Sequence, residues 1–193
     1  MRRVTAERPP VEMVGNCVVV RHFSPADATR LHEAILESVE HLAPWMPWAG
    51  LEPVDLADRE KLVADWCELW QAGKDFNFGV FENGRLVGGC GLHRRIGPGG
   101  LEIGYWTRAG DTGRGIAREA VRCLVTGAFS MSNIAILEVH HDVANIASGR
   151  IPERLGFTFV EEREDGAVAP AEIGVERVWR LHRRDWDAVG PRS

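Results

Sequence analysis

Apolar and polar positions change period several times along the chain, and each change marks an element. Cys17 to Phe23 is rich in β-branched residues and reads as a strand. Ser24-Pro25, a capping residue followed by proline, opens a helix to about His41, with Ala28, Leu31, Ala34, Ile35, Leu36 and Val39 at helical spacings. Pro44-Trp45-Met46-Pro47-Trp48 interrupts it, and a second helix is predicted over about Leu56 to Ala72, carrying Leu62, Val63, Trp66, Leu69 and Trp70 on one side. The period then drops to two. Phe76 to Phe81 alternates, Asn83-Gly84 makes a tight turn, and Leu86 to His93 returns as the second arm of a hairpin. After Gly97-Pro98-Gly99-Gly100, Leu101 to Arg108 forms a third adjacent strand. A glycine loop, Gly110 to Gly115, leads into a helix over about Ile116 to Met131. A strand at Ile134 to His140, a helix at Asn145 to Leu155, and strands at Phe157 to Arg163 and Val175 to Leu181 complete the chain.

The order β-α-α-β-β-β-α-β-α-β-β excludes a doubly wound parallel sheet, in which strand and helix alternate throughout. It predicts an α/β fold of the α+β kind: a mixed, largely antiparallel sheet with helices on both faces. One parallel crossing is expected, where the helix from Ile116 bridges the strands at Leu101 and Ile134. Residues 1–12 read as a flexible N-terminal segment and 13–193 as a single domain.

Composition narrows the class. With 45% hydrophobic and 26% charged residues in 193, a sizeable core is available. A net charge of -5 without a sustained basic run argues against direct nucleic-acid binding. No apolar stretch approaches the roughly 18–20 residues of a membrane span. Met1 to Met13 lacks the apolar core of a secretory signal. Cys17, Cys67, Cys90 and Cys123 are scattered, so neither disulfides nor a cysteine zinc site is expected, and the cytoplasm is the predicted compartment. His140-His141-Asp142 reads as a metal cluster only on paper, because alternation sends the two histidines to opposite faces of a strand; no metal is predicted.

The glycine loop carries the first chemistry. Gly113-Arg114-Gly115 stands between strand and helix, where first-turn N–H groups and the helix dipole favour an anion. Arg118 occupies the third glycine position of a dinucleotide fingerprint, and no Gly-Lys-Ser/Thr follows, so neither that motif nor a Walker loop is present. Arg114 and Arg118 oppose the dipole and make better sense facing a bound phosphate.

The second half supplies context. Asn145-x-x-Ser148-x-Arg150-Ile151-x-Glu153-x-Leu155-Gly156-Phe157, with Leu101 to Trp106, Gly113 to Ala120, the segment His41 to Trp48, and Arg184-Asp185-Trp186, resembles the GNAT N-acyltransferases, specifically their RimJ/RimL branch. The matches keep the family's order and cover about Val18 to Trp186. The position three before the first glycine, a Gln or Arg in the family's pattern, is Gly110 here.

The resemblance implies transfer of an acetyl group from acetyl-CoA to a primary amine by direct attack in a ternary complex. It also implies a splay between the fourth and fifth strands. The diphosphate would lie on Gly113, Arg114, Gly115, Ile116 and Ala117, the N–H near Trp106 would polarise the thioester carbonyl, and the backbone around Arg108 would pair with the pantetheine. Glu102 becomes the candidate base, against a structural reading as a carboxylate paired with an arginine. Asn145 is a cofactor contact, a helix N-cap, or both. Where many members carry an acidic tyrosine this chain has Pro152, so Ser148 inherits the role of proton donor to the leaving thiolate. Pro152 also removes the i+4 donor of the Ser148 carbonyl, which is expected to bend the helix. Trp45 and Trp48 are candidates for the acceptor mouth, whereas the spacing of Trp66 and Trp70 favours core packing. The acceptor would be a protein N-terminal α-amine, as in ribosomal-protein acetylation, or a small-molecule amine; a monomer and a homodimer both remain open. The rivals are a non-catalytic acyl-CoA sensor on the same fold, a transferase of another acyl group such as succinyl, and a nicotinamide oxidoreductase, which the strand order opposes.

Overall fold

The computed structural model describes residues 7–189. Eight strands form one sheet in the order β1-β2-β3-β4-β5-β6-β8-β7. They are β1 (Glu12–Val14), β2 (Val19–His22), β3 (Asp75–Glu82), β4 (Arg85–His93), β5 (Gly100–Thr107), β6 (Ile136–Asp142), β7 (Thr158–Glu164) and β8 (Val175–His182). Every neighbouring pair is antiparallel except β5 and β6. That pair is bridged by α4 (Ile116–Phe129), the one parallel crossing expected. The remaining helices are α1 (Ala28–Leu36), α2 (Val39–Leu42), α3 (Leu56–Gln71), α5 (Ile146–Arg154) and α6 (Arg183–Val189).

Three local features depart from the sequence reading. The first helix breaks after Leu36, where Ser38 turns its hydroxyl back onto the Ala34 carbonyl at 2.7 Å and accepts the Ala109 N–H at 3.0 Å. A short helix, α6, follows β8. The expected boundary at residue 12 falls inside an unpredicted strand, β1, so the part of the flexible segment within the described residues is tied down: the Val11 carbonyl accepts the His22 N–H, and Glu7 accepts the N–H groups of Ser132 and Asn133. Residues 1–6 of that segment lie outside the described residues.

The two faces of the central hairpin region differ in chemistry, which follows from the two-residue period. Phe76, Phe78, Leu92, Leu101 and Ile103 point to the face covered by α4 and form the larger core with Leu124 and Leu137. The opposite face carries Asp75, Asn77 and Gly79 on β3, Gly89, Gly91 and His93 on β4, and Glu102, Gly104 and Trp106 on β5. At one end of it Phe81 and Leu86 pack against Phe23, Leu31, Ile35 and Val63, which seats α1 and α3. The polar, glycine-rich remainder of that face is left for a cleft.

Candidate active site

β5 and β6 share only three register pairs, Gly100 with Ile136, Leu101 with Leu137 and Glu102 with Glu138, although β5 runs on to Thr107 and β6 to Asp142. Beyond Glu102 the strands part, so the expected splay is present; the extra strand β1 makes these the fifth and sixth. Two clefts meet at the split. The larger, about 800 Å³, lies over the glycine-rich face, and the second, about 610 Å³, lies beside the glycine loop. Trp45, Met46, Tyr105, Trp106, Asn145 and Ser148 line both.

Their charges are opposite. Among the described residues, eight carboxylates and two arginines line the larger cleft. Burial, and then repulsion from Glu176, Glu172 and Asp142, pushes the Asp165 carboxyl above its ordinary range there. The second cleft carries Arg114, Arg118, Arg150 and Arg154 against Asp111.

The loop is shaped for backbone donors. Gly113 and Gly115 have φ of 75° and 80°, the left-handed region that L side chains avoid. No side chain caps α4, so the N–H groups of Ile116, Ala117 and Arg118 have no intrahelical partner. Arg114 differs from expectation. It lines the second cleft but is held by Asp111 at 2.8 Å and by both oxygens of Glu82 at 2.7 and 2.8 Å, and so braces the loop. Arg118, Arg150 and Arg154 are exposed and make no ion pair among the described residues. The sequence reading missed Arg150 and Arg154, although a turn of helix separates them on the face that follows Ser148.

Arg108 is likewise held by its neighbours. Its N–H bonds the Val87 carbonyl at 2.9 Å, its carbonyl accepts from Asp111, and its guanidinium is taken up by Glu37 and the Leu86 carbonyl. Its N–H and guanidinium are thus engaged within the fold. Alternation puts the Trp106 N–H on the same side, toward β4, and turns those of Tyr105 and Thr107 toward the split.

On the leaving-group side, Asn145 caps α5 by accepting the Ser148 N–H at 3.1 Å, so the capping role is realised. Pro152 sits inside α5, and the Ser148 carbonyl that it deprives of a donor is served by the chain's single tyrosine: Tyr105 Oη lies 3.0 Å from the Ser148 carbonyl and 3.0 Å from Ser148 Oγ. A phenol has one proton. With it on the carbonyl, the Ser148 hydroxyl must donate to Tyr105 Oη. Burial pushes the Tyr105 phenol well above its usual range, against a smaller opposing effect of the Ser148 bond, so it stays a neutral donor.

On the acceptor side, Glu102 lines the larger cleft with its carboxylate 3.1 Å from exposed Arg95. Trp45 and Trp48 line this cleft, and the Trp48 ring meets Trp106 edge-on with centroids 6.2 Å apart. Trp66 also borders this cleft while packing on Phe23. Trp70 is buried among Phe76, Phe78 and His22. His140 bonds Glu138 at 2.8 Å, whereas His141 accepts the Trp179 indole N–H at 3.0 Å, so the adjacent rings have separate partners.

A model of the acetyltransferase (GNAT) domain matches residues 18–158. A Bacillus subtilis (strain 168) protein named "Putative ribosomal N-acetyltransferase YdaF" is 29% identical over 177 residues, covering 90% of this chain and 96% of that one. A crystal structure described as a probable acetyltransferase is 28% identical with a TM-score of 0.80, covering 89% and 96% of the two chains. The structure of RimL, a ribosomal L7/L12 alpha-N-protein acetyltransferase in complex with coenzyme A, has a TM-score of 0.80 at 20% identity, covering 91% and 98%.

Proposed function

The chain belongs to the GNAT acetyltransferase family, and from that premise we propose that it transfers acetyl from acetyl-CoA to the α-amine of a polypeptide N-terminus. One observation carries the proposal: two clefts of opposite charge approach the β5–β6 split from its two sides and share the residues that line it. A basic cleft with free first-turn N–H groups suits a phosphorylated cofactor, and an acidic one suits a cationic amine. The names of YdaF and RimL support a ribosomal-protein N-terminus as the acceptor class.

The residues fit coenzyme A. The left-handed glycines bring backbone close to a diphosphate, and Arg118, Arg150 and Arg154 supply counter-charge. Acetyl-CoA supplies the thioester whose acetyl group passes to the amine, with no acyl-enzyme. The N–H groups of Tyr105 and Thr107 are the donors turned toward its carbonyl. Glu102 receives the acceptor ammonium and assists its deprotonation. The Ser148 hydroxyl turns from Tyr105 Oη to donate to the departing sulfur, while the Tyr105 phenol keeps its own proton on the Ser148 carbonyl.

The test combines binding with turnover. Acetyl-CoA and CoA should raise the melting temperature, and NAD and ATP far less. Gly115→Asp sets a carboxylate against the diphosphate and should abolish the shift. CoA release is then read across N-terminal peptides, small amines and several acyl-CoA donors. Preference for a small amine would replace the acceptor class, and preference for succinyl-CoA would replace the donor. A thermal shift without turnover on any acceptor would favour the acyl-CoA sensor.

A further inference from the structure

The glycine-rich face holds a second group suited to proton transfer. His93 ends β4 with its ring over that face, and its Nδ1 lies 2.6 Å from Asp75 Oδ1 on β3. A carboxylate there keeps the Nδ1 proton in place and leaves Nε2 as the acceptor nitrogen. The ring leans toward the split. A Cβ on Gly91 would fall 2.6 Å from Nε2, and one on Gly104 would fall 3.3 Å from it. Both glycines therefore make room for the imidazole. Gly104 already lies beyond the last β5–β6 pair and is two residues before Trp106, about 7 Å along the strand, so Nε2 stands beside the parted stretch, roughly one pleat repeat from Trp106. Glu102 is the cross-strand partner of His93 on the same face.

We propose that His93, positioned by Asp75, takes the proton from the acceptor ammonium that Glu102 holds. The inference rests on the acetyltransferase reading above. An α-ammonium has a pKa near 8. An imidazole, with a reference value near 6.5, is a closer match for it than a carboxylate near 4.3. In the step, one N–H bond of the ammonium breaks, its electron pair stays on nitrogen as the nucleophile, and the proton adds to the Nε2 lone pair. The imidazolium is then paired with Asp75 and later discharges to water. Across the whole reaction the ammonium sheds two protons; one leaves as CoA thiol and the other travels through His93. The other titratable and charged groups lining this cleft are Glu102 and Arg95, Asp58 with the Glu52–Arg59 pair, and, from β6, β8 and the turn before β8, His140, His141, Asp142, Asp165, Glu172 and Glu176.

The experiment follows kcat/KM against pH from 6 to 9 for wild type, His93→Gln and Asp75→Asn. His93→Gln should lose about 10²-fold or more near neutrality and recover as pH rises, and His93→Gly should be rescued by added imidazole. Asp75→Asn should lose less and shift the acid limb of the profile. Nitrogen-15 imidazole spectra of the protein without acetyl-CoA should give the Nδ1–H tautomer at His93, and Asp75→Asn should redistribute it. Gly91→Ala, which keeps the imidazole but displaces it, should lower turnover even where a His93 variant folds poorly. Wild-type profiles in His93→Gln, or no imidazole rescue, would overturn the proposal while leaving the acetyltransferase reading standing. No CoA release by wild type with any amine would remove both.

Discussion

Replacing Tyr105 by Phe deletes one oxygen and should expose the cost of Pro152. In the native chain the Tyr105 hydroxyl supplies the hydrogen bond that the proline denies to the Ser148 carbonyl, at 3.0 Å. Without it the carbonyl has no helical donor, and an unsatisfied buried acceptor costs about 1–3 kcal/mol. For a domain of this size that is roughly 2–12 °C in melting temperature. Pro152→Ala alone returns an N–H four residues after Ser148, offset by lost proline packing and a freer unfolded chain. The informative measurement is the cycle. In the Pro152→Ala background, Tyr105→Phe should cost only a net hydrogen bond or less, about 0.5–1.5 kcal/mol, so the coupling should be on the order of 1 kcal/mol. Urea unfolding of the four proteins reads it directly. Additive effects would refute the account, since they would mean that the phenol and the proline do not act on one carbonyl. The Ser148 side chain gives a second readout, because a free hydroxyl in Tyr105→Phe should alter kcat more than the acetyl-CoA KM.

Two further outcomes follow. Arg118→Ala should raise the acetyl-CoA KM about tenfold, the worth of one charge-assisted hydrogen bond, with little change in kcat; an equal fall in kcat would place Arg118 at the chemistry instead. Asp27 is buried, which pushes its carboxyl up, but hydrogen bonds from Arg21 at 2.7 and 2.8 Å and from Ser24 outweigh burial and hold it well below the ordinary range. A depressed folded-state value contributes stability above the unfolded value of about 3.9 and loses it as pH falls further. Asp27→Asn should therefore destabilise at pH 7 by about 1.5–3 kcal/mol, and the gap to wild type should close below pH 4; a gap independent of pH would contradict the ion-pair explanation.

Periodicity found nearly every element because the chain writes its layers plainly, with Phe76 and Phe78 on one face and Leu124 with Leu137 beneath it. β1 escaped because three residues, Glu12 to Val14, carry no readable alternation. The helix break at Ser38 depends on a contact with Ala109, far along the chain, that no local pattern encodes. The loop at Gly113 and the cap at Asn145 were legible, since positive φ and capping are local. The pairings of Arg108 and Arg114 were not legible, because their partners, Glu37, Val87 and Glu82, arrive from other elements. The His93–Asp75 pair shows the limit most clearly. Counting outward from the Asn83-Gly84 turn, where Glu82 pairs with Arg85, an unbroken hairpin would set Asp75 opposite Leu92. A bulge near Val80 and Phe81 adds one residue and sets it opposite His93.

Most sheets are weakest at their margins, where outer strands lack a neighbour on one side. Here the two strands that part after Glu102 and Glu138 have open edges in the middle of the sheet, flanked by well-bonded strands. Amide hydrogens on Tyr105 and Thr107, which lie beyond the last register pair, should therefore exchange with solvent faster than those of β3 or β4, reversing the usual outside-in order of protection. The same arrangement divides the molecule mechanically. The β6-β8-β7 plate hangs from the rest of the sheet by a three-residue seam and the α4 crossover, so a pulling force or a denaturant should detach it as a unit before the β2-to-β5 plate yields.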